Sequence, residues 1–220
     1  FKHKFEKLVS LKDLTFKYPN SDKIIFNKLN FDINKNQKIG IFGNTGSGKS
    51  TLVKILMGII PPNSGSVTID NHNINENVET WYKLISYIPQ KIFLFESSLE
   101  NNIKLFDNSN SEEKFNDVIK EVFTDFNRFD KLSFSTNNNP SKLSGGETKK
   151  VGIARALFKD HEILIIDEGT AGLDKEYSEY IISKILNLKK TIIFISHDMS
   201  QLKNFNDIYK ISGQDIQRIS

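Results

Sequence analysis

Eight consecutive residues, Gly43-Asn44-Thr45-Gly46-Ser47-Gly48-Lys49-Ser50, constrain this chain more than any other stretch. They follow the apolar run Lys38-Ile39-Gly40-Ile41-Phe42 and precede Thr51-Leu52-Val53-Lys54-Ile55-Leu56-Met57, whose apolar positions recur at helical spacing. The spacing G-x-x-x-x-G-K-[ST] between a strand and a helix is that of a phosphate-binding P-loop. Its glycines let successive backbone N–H groups converge on one concavity. The lysine then reaches the terminal phosphates, the serine hydroxyl serves Mg²⁺, and the new helix presents its positive dipole end. An ordinary glycine-rich turn requires neither flanking element. The stretch therefore predicts a strand–loop–helix unit that binds a nucleoside triphosphate.

The chain has 220 residues, of which 38% are hydrophobic, enough for one large domain or a domain with an inserted lobe. Its 30 basic and 27 acidic residues are interspersed without a long basic block, which argues against a surface dedicated to nucleic acid. No cysteine is present, so disulfides, thiolate metal sites and thiol nucleophiles are excluded. Apolar runs such as Ile163–Ile166 and Ile192–Ile195 fall far short of the roughly 18 residues of a spanning helix, so the stretch reads as soluble. The opening FKHKFEK lacks the apolar core of a signal peptide, and a start at Phe1 reads as a chain cut from a longer polypeptide or processed.

Two segments with partial alternation, residues 8–18 and 24–33, are separated by the turn signal Pro19-Asn20-Ser21-Asp22 and predict an antiparallel β-meander. Lys38–Phe42 is continuously apolar, as in a strand covered on both faces. The P-loop helix should end near Gly58, with Pro61-Pro62 beyond it and a short strand at Val67–Ile69. From about residue 71 to 150 asparagines and short helical patterns dominate, which predicts an inserted helical lobe. There Ser111 can cap a helix bearing Phe115, Val118, Ile119, Val122 and Phe123, residues 136–140 form a loop, and a further helix runs from Gly146 to Phe158. After it, strands at Ile163–Ile166, Thr191–Ile195 and Ile208–Ile211 alternate with a helix at Tyr177–Leu188, the pattern of a parallel sheet. The expected fold is α/β: a P-loop NTPase core with a mainly parallel sheet, an N-terminal antiparallel β-subdomain and an inserted α-helical subdomain. As one 220-residue domain it divides into a core lobe, about 1–85 and 159–220, and a helical lobe, about 86–158.

Ligands of such sheets bind at the carboxyl ends of the strands, where the strands ending at Asp167 and Ser196 should join the P-loop. Asp167 can hold Mg²⁺ through water, and Glu168, expected to face the opposite way along the strand, can orient or deprotonate an attacking water. A second small-residue anion cradle, Leu143-Ser144-Gly145-Gly146-Glu147, opens a basic helix start at Thr148-Lys149-Lys150. One chain thus carries two cradles for one triphosphate.

These three motifs, in this order, resemble the nucleotide-binding domain of ATP-binding cassette (ABC) transporters over nearly the whole chain. The family signature LSGGQ stands here as LSGGE, Leu143 to Glu147. The resemblance implies that Tyr18 stacks on adenine, that Gln90 contacts Mg²⁺ and water and links the helical lobe to the membrane domain, that Ala171-Gly172-Leu173-Asp174 is the D-loop, and that His197 is the switch histidine. ATP and Mg²⁺ would be held by Gly43, Asn44, Thr45, Gly46, Ser47, Gly48, Lys49, Ser50 and Thr51, with Ser50, Gln90 and Asp167 toward the metal. Lys49, Gln90, Glu168 and His197 would carry catalysis.

The segment from Ile92 to Ile103 is similar to that of exporters whose membrane and nucleotide domains share one chain. Three positions depart from the family pattern: Glu147 for glutamine, Gly169 where Ala or Pro is common, and Asn137-Asn138-Asn139-Pro140 in place of an acidic, glycine-containing loop. The resemblance implies head-to-tail dimerisation with a second such domain, identical or not, in which the Ser144-Gly145-Gly146 cradle of one copy, within Leu143 to Glu147, closes over the γ-phosphate held by the other; Glu147 and the D-loop Asp174 are also expected to bind nucleotide. It also implies a transmembrane domain, N-terminal in the same polypeptide, and a place on the cytoplasmic face of a membrane; the charge balance already speaks against a nucleic acid partner. A soluble ABC ATPase of translation or DNA repair would usually carry paired cassettes or a long coiled coil. A nucleotide-gated binding module without turnover would not need both Glu168 and His197. Asn27-Lys28-Leu29-Asn30 only half resembles a guanine-reading motif and precedes the P-loop, on the wrong side for a GTPase.

Overall fold

A computed structural model describes residues 5–107, 112–124 and 143–220. Two sheets share the described residues. The first is antiparallel, in the order β2-β1-β4-β5, and comprises β1 (Leu8–Lys17), β2 (Ile24–Asn34), β4 (Ser64–Ile69) and β5 (His72–Asn73). The turn between β1 and β2 uses Asn20 at φ 64°, a left-handed conformation that asparagine tolerates. β4 returns to the free edge of β1 instead of following β2, so the expected meander is a hairpin with a third strand added on its first.

The second sheet has the order β10-β9-β3-β8-β7-β6. Five of its strands are parallel: β9 (Asp207–Ser212), β3 (Lys38–Phe42), β8 (Thr191–Ser196), β7 (Ile163–Asp167) and β6 (Ile85–Ile88). The last edge strand, β10 (Asp215–Arg218), is antiparallel to β9. The sequence reading did not anticipate β10 or β6. With β6 paired to β7 from Ile85 to Ile88, residues 86–88 are part of the second sheet. Four residues, Ile-Ser-Tyr-Ile, at the edge of a sheet present too short a pattern to stand out from helical surroundings.

The continuous apolar runs follow from burial of both faces. In β7, Ile163 and Ile165 enter one core while Leu164 and Ile166 enter another; in β8, Ile193 and Ile195 divide from Ile192 and Phe194 in the same way. The first core lies between the two sheets and takes in helix α1 (Lys49–Leu56). It also covers Trp81 of α2 (Val78–Tyr82), whose Nε1 donates to the Leu56 carbonyl at 2.8 Å. The second core packs α4 (Glu112–Val122), α5 (Gly145–Lys159) and α6 (Lys175–Asn187), with α3 (Leu99–Lys104) contributing Leu99 and Ile103. Gly58 at φ 69° stops the P-loop helix where expected. The cap expected at Ser111 and the loop expected over 136–140 lie outside the described residues.

Candidate active site

Parallel register gathers the site. Phe42 pairs with Ser196, Asp167 with Ile195, and Ile88 with Ile166, so the next residues along each strand, Gly43, His197, Glu168 and Pro89-Gln90, emerge at one edge of the sheet. At Gly43 the chain turns through Gly46 (φ 79°) and Gly48 (φ 108°), a backbone that favours glycine. A Cβ on Gly43 would lie 2.5 Å from Ser47 Oγ, so a larger residue there would force the Ser47 side chain to move. Lys49 is buried, and its ammonium donates to the carbonyls of Gly43 at 2.7 Å and Asn44 at 3.1 Å.

Helix α1 differs from its neighbours at its N-terminus. Side chains of Asn77, Ser98, Ser144 and Asp174 cap α2, α3, α5 and α6. Gly48 gives α1 no side-chain cap, and its first turn holds no acidic residue. The first N–H groups of a helix need partners from outside it, and an anion supplies them with the favourable dipole sign. Tyr18, half-buried against Phe16, places its hydroxyl 3.0 Å from Thr51 Oγ1 and so stands beside the same turn.

Glu168 is the centre of the carboxyl-end cluster. Its Oε2 accepts from Gln90 Nε2 at 2.7 Å, its Oε1 lies 3.0 Å from His197 Nδ1, and Lys49 Nζ is 4.0 Å from Oε1. Strand alternation predicts that Glu168 faces away from Asp167, and the structure corrects this. Glu168 has φ 51°, outside the strand conformation, so alternation has already ended and its carboxylate turns to Lys49, the cation that also acts on Asp167. Asp167 is buried, and burial with the neighbouring Glu168 charge raises its pKa against the opposing pull of Lys49, Lys149 and the Tyr87 hydrogen bond. Burial and Asp167 together push the Tyr87 hydroxyl up to about 12.

Sequence reasoning missed two members of this cluster. Tyr87 lies on the unanticipated β6. Lys149 reads in sequence as part of the basic start of the second cradle, yet its ammonium donates to the backbone carbonyls of Gln90 and, at 3.3 Å, Glu168. Burial lowers the Lys149 pKa, while Glu168 and Asp167 oppose that shift.

The remaining expected residues are arranged differently. Ser50 is exposed on the first turn of α1. Ser144 and Glu147 form a capping box: Ser144 N donates to Glu147 Oε2 at 2.7 Å and Glu147 N to Ser144 Oγ at 3.2 Å. The expected open cradle is thus partly satisfied by its own helix, although the Ser144 hydroxyl proton can still be donated outward. Among the described residues nothing lies within 4 Å of a Cβ on Gly145, and Leu173 Cδ2, at 3.9 Å, alone comes that close to one on Gly146. Asp174 caps α6 through Tyr177 N at 2.8 Å. At Gly169, the place of a Cβ is already filled by methyls of Ile88 at 2.7 Å and Ile166 at 2.8 Å.

The ABC transporter family profile matches residues 26–171. The chain is 34% identical over 200 residues to the lactococcin-A transport/processing ATP-binding protein LcnC of Lactococcus lactis, covering 87% of this chain and 27% of that protein. It is 35% identical over 207 residues to the alpha-hemolysin translocation ATP-binding protein HlyB of Escherichia coli O157:H7, covering 91% of this chain and 29% of that one. The solved structure of a bacterial Atm1-family ABC exporter with ATP bound superposes with a TM-score of 0.86 at 27% identity, over 96% of this chain and 38% of the other. The chain therefore spans well under half the length of these relatives.

Proposed function

The chain belongs to the ABC transporter family, and from that premise we propose that it is the ATP-binding and ATP-hydrolysing part of a membrane exporter. The uncapped start of α1, wrapped by left-handed glycines and adjoining a buried lysine, carries the reading. Such a loop leaves backbone donors and one ammonium for the phosphates of a nucleotide, and Tyr18 stands where it can meet the base. Mg²⁺ fits the donors present: the Ser50 hydroxyl, the Gln90 amide and the buried Asp167 carboxylate are hard oxygen ligands, few enough to leave positions for phosphate and water. When bound it neutralises developing charge on the phosphates.

The protein's own part is positioning. Gln90 and His197 hold the Glu168 carboxylate from two sides, where it can take a proton from an attacking water, while Lys49 balances negative charge on the phosphoryl oxygens. The Gly145-Gly146 face and the Ser144 hydroxyl, remote from the chain's own P-loop in sequence, serve a second domain of the same kind in a head-to-tail dimer. The membrane portion docks on the apolar groove of about 800 Å³ beside Gln90, bordered by Tyr82, Pro89, Phe93, Phe95 and Leu105. Phe93 there is 72% exposed, a large apolar surface of the kind that marks interfaces.

In proteoliposomes holding the full-length protein, MgATP should release phosphate, and Lys49→Ala should abolish the release. No ATP-dependent phosphate from the wild-type protein would overturn the proposal.

A further inference from the structure

Lys149 occupies a position that the mechanism so far leaves unused. It lies one turn into α5, the helix whose N-terminus carries Ser144, Gly145 and Gly146. Its side chain leaves that helix, and the ammonium donates to two main-chain carbonyls from distant parts of the chain, those of Gln90 and Glu168. Their side chains meet at 2.7 Å on the other side of the same junction. Three elements are thereby tied at one nitrogen: the segment leaving β6, the end of β7 and the start of α5.

The backbone at Glu168 needs such an anchor. Its φ of 51° is a left-handed conformation that a residue with a Cβ adopts at a cost, and the carboxylate direction depends on it. Two hydrogen bonds hold that peptide from the chain itself, Glu168 N to the Ile195 carbonyl at 3.0 Å and Ala171 N to the Glu168 carbonyl at 3.1 Å. Lys149 adds a charge-assisted donor to the same carbonyl, and it is the donor that also reaches Gln90. Neighbouring Lys150 is directed elsewhere, 4.2 Å over the ring of Tyr177, so the two adjacent lysines divide between the site and the helix's own packing.

We propose that Lys149 is a positioning residue that locks the Gln90–Glu168 pair in register and transmits movement of α5 to it. The inference rests on the ATPase reading above. It supplies a route by which the Ser144–Gly146 face, engaging a second domain, alters the water-activating pair of its own chain: the cradle and Lys149 ride on one rigid helix.

The test compares Lys149→Met and Lys149→Arg in the full-length protein, each alone and with Gln90→Ala, by steady-state phosphate release and by titration with a fluorescent ATP analogue. Lys149→Met keeps the aliphatic stem and removes the donor; kcat should fall about 10- to 100-fold, the scale of a small misplacement at a reacting group, with KM and analogue affinity changed less than about twofold. Lys149→Arg should recover at least about a third of kcat, because its guanidinium again offers more than one donor. In the Gln90→Ala background the Met substitution should cost under about threefold, since residues acting as a unit are not additive. Should Lys149→Met not fold, Lys149→Ala carries the same comparison. An unchanged kcat in the Met variant, a parallel loss of nucleotide affinity, no recovery with Arg, or equal effects in both backgrounds would each overturn the proposal while leaving the ATPase reading standing. A wild-type protein without phosphate release would instead overturn that reading.

Discussion

Replacing Glu168 by glutamine is the most direct test of the carboxyl-end cluster. The amide keeps the shape of the carboxylate and one acceptor oxygen, so contact with Gln90 Nε2, now 2.7 Å away, can persist. What is lost is the charge and the basic lone pair. General-base assistance is worth about 10²- to 10⁴-fold, or about 3–5 kcal/mol of barrier at 1.36 kcal/mol per decade, and turnover should fall by that amount. Binding should respond differently. A pair of charges 4.0 Å apart, as Lys49 and Glu168 are, attracts by about 4 kcal/mol at an effective dielectric of about 20, before solvation offsets most of it. Removing Glu168's charge frees the Lys49 ammonium for phosphate and relieves the like-charge pressure on Asp167. ATP affinity should therefore hold or tighten, and the ATP-bound variant should accumulate as a dimer. Single-turnover phosphate release, titration with a fluorescent ATP analogue and light scattering after ATP addition measure the three quantities. Turnover above about a tenth of wild type, an order below the least that general-base assistance supplies, would refute the assigned role. ATP affinity weakened more than about tenfold would show that Glu168 supports the loop and not the water.

Three further outcomes follow from packing and charge. Gly169→Ala puts a Cβ 2.7 Å from an Ile88 methyl that branches next to the backbone and yields little, so thermal unfolding should show a loss of about 1–3 kcal/mol; no loss would mean that this junction is looser than described. Trp81→Phe removes the 2.8 Å bond to the Leu56 carbonyl at the end of the P-loop helix and leaves a buried acceptor without it, for an expected loss of about 1–3 kcal/mol in urea unfolding followed by circular dichroism. Asp70 accepts from the backbone N–H groups of Glu6, Lys7 and Leu8 at 2.7–2.8 Å. Burial pushes its pKa up, but those donors and Lys35 bring it below the ordinary 3.8. Its contribution is therefore complete above the unfolded pKa and disappears as the pH falls through the lower folded value. Asp70→Asn should cost about 1 kcal/mol at pH 7 after allowance for solvent screening, with the difference from wild type shrinking as the pH falls through the lowered folded pKa; a difference constant with pH would refute the charge-based account.

Much of this protein is determined by sequence alone, because the physics involved is local. Eight contiguous residues set the P-loop, since its conformation depends on which positions tolerate positive φ and where a helix starts. The runs at Ile163–Ile166 and Ile192–Ile195 announce strands covered on both faces, since each residue must enter one of two cores. The residue pattern around Leu143–Glu147 likewise marks a helix start.

Tertiary structure decided the remainder, and in each case the deciding interaction joins segments far apart in the chain. Four residues at Ile85–Ile88 become a strand because β7 offers them an edge, and that pairing delivers Tyr87 to Asp167 and Gln90 to Glu168. Glu168 reaches Lys49 because its backbone is left-handed, a conformation that strand periodicity excludes and that bonds from β8 and the following turn maintain. Lys149 reads in sequence as one of two basic residues after a glycine pair. Only the fold sends it to the carbonyls of Gln90 and Glu168 and its neighbour Lys150 to Tyr177, because helix phase and the placement of β6 and β7 determine what each side chain meets.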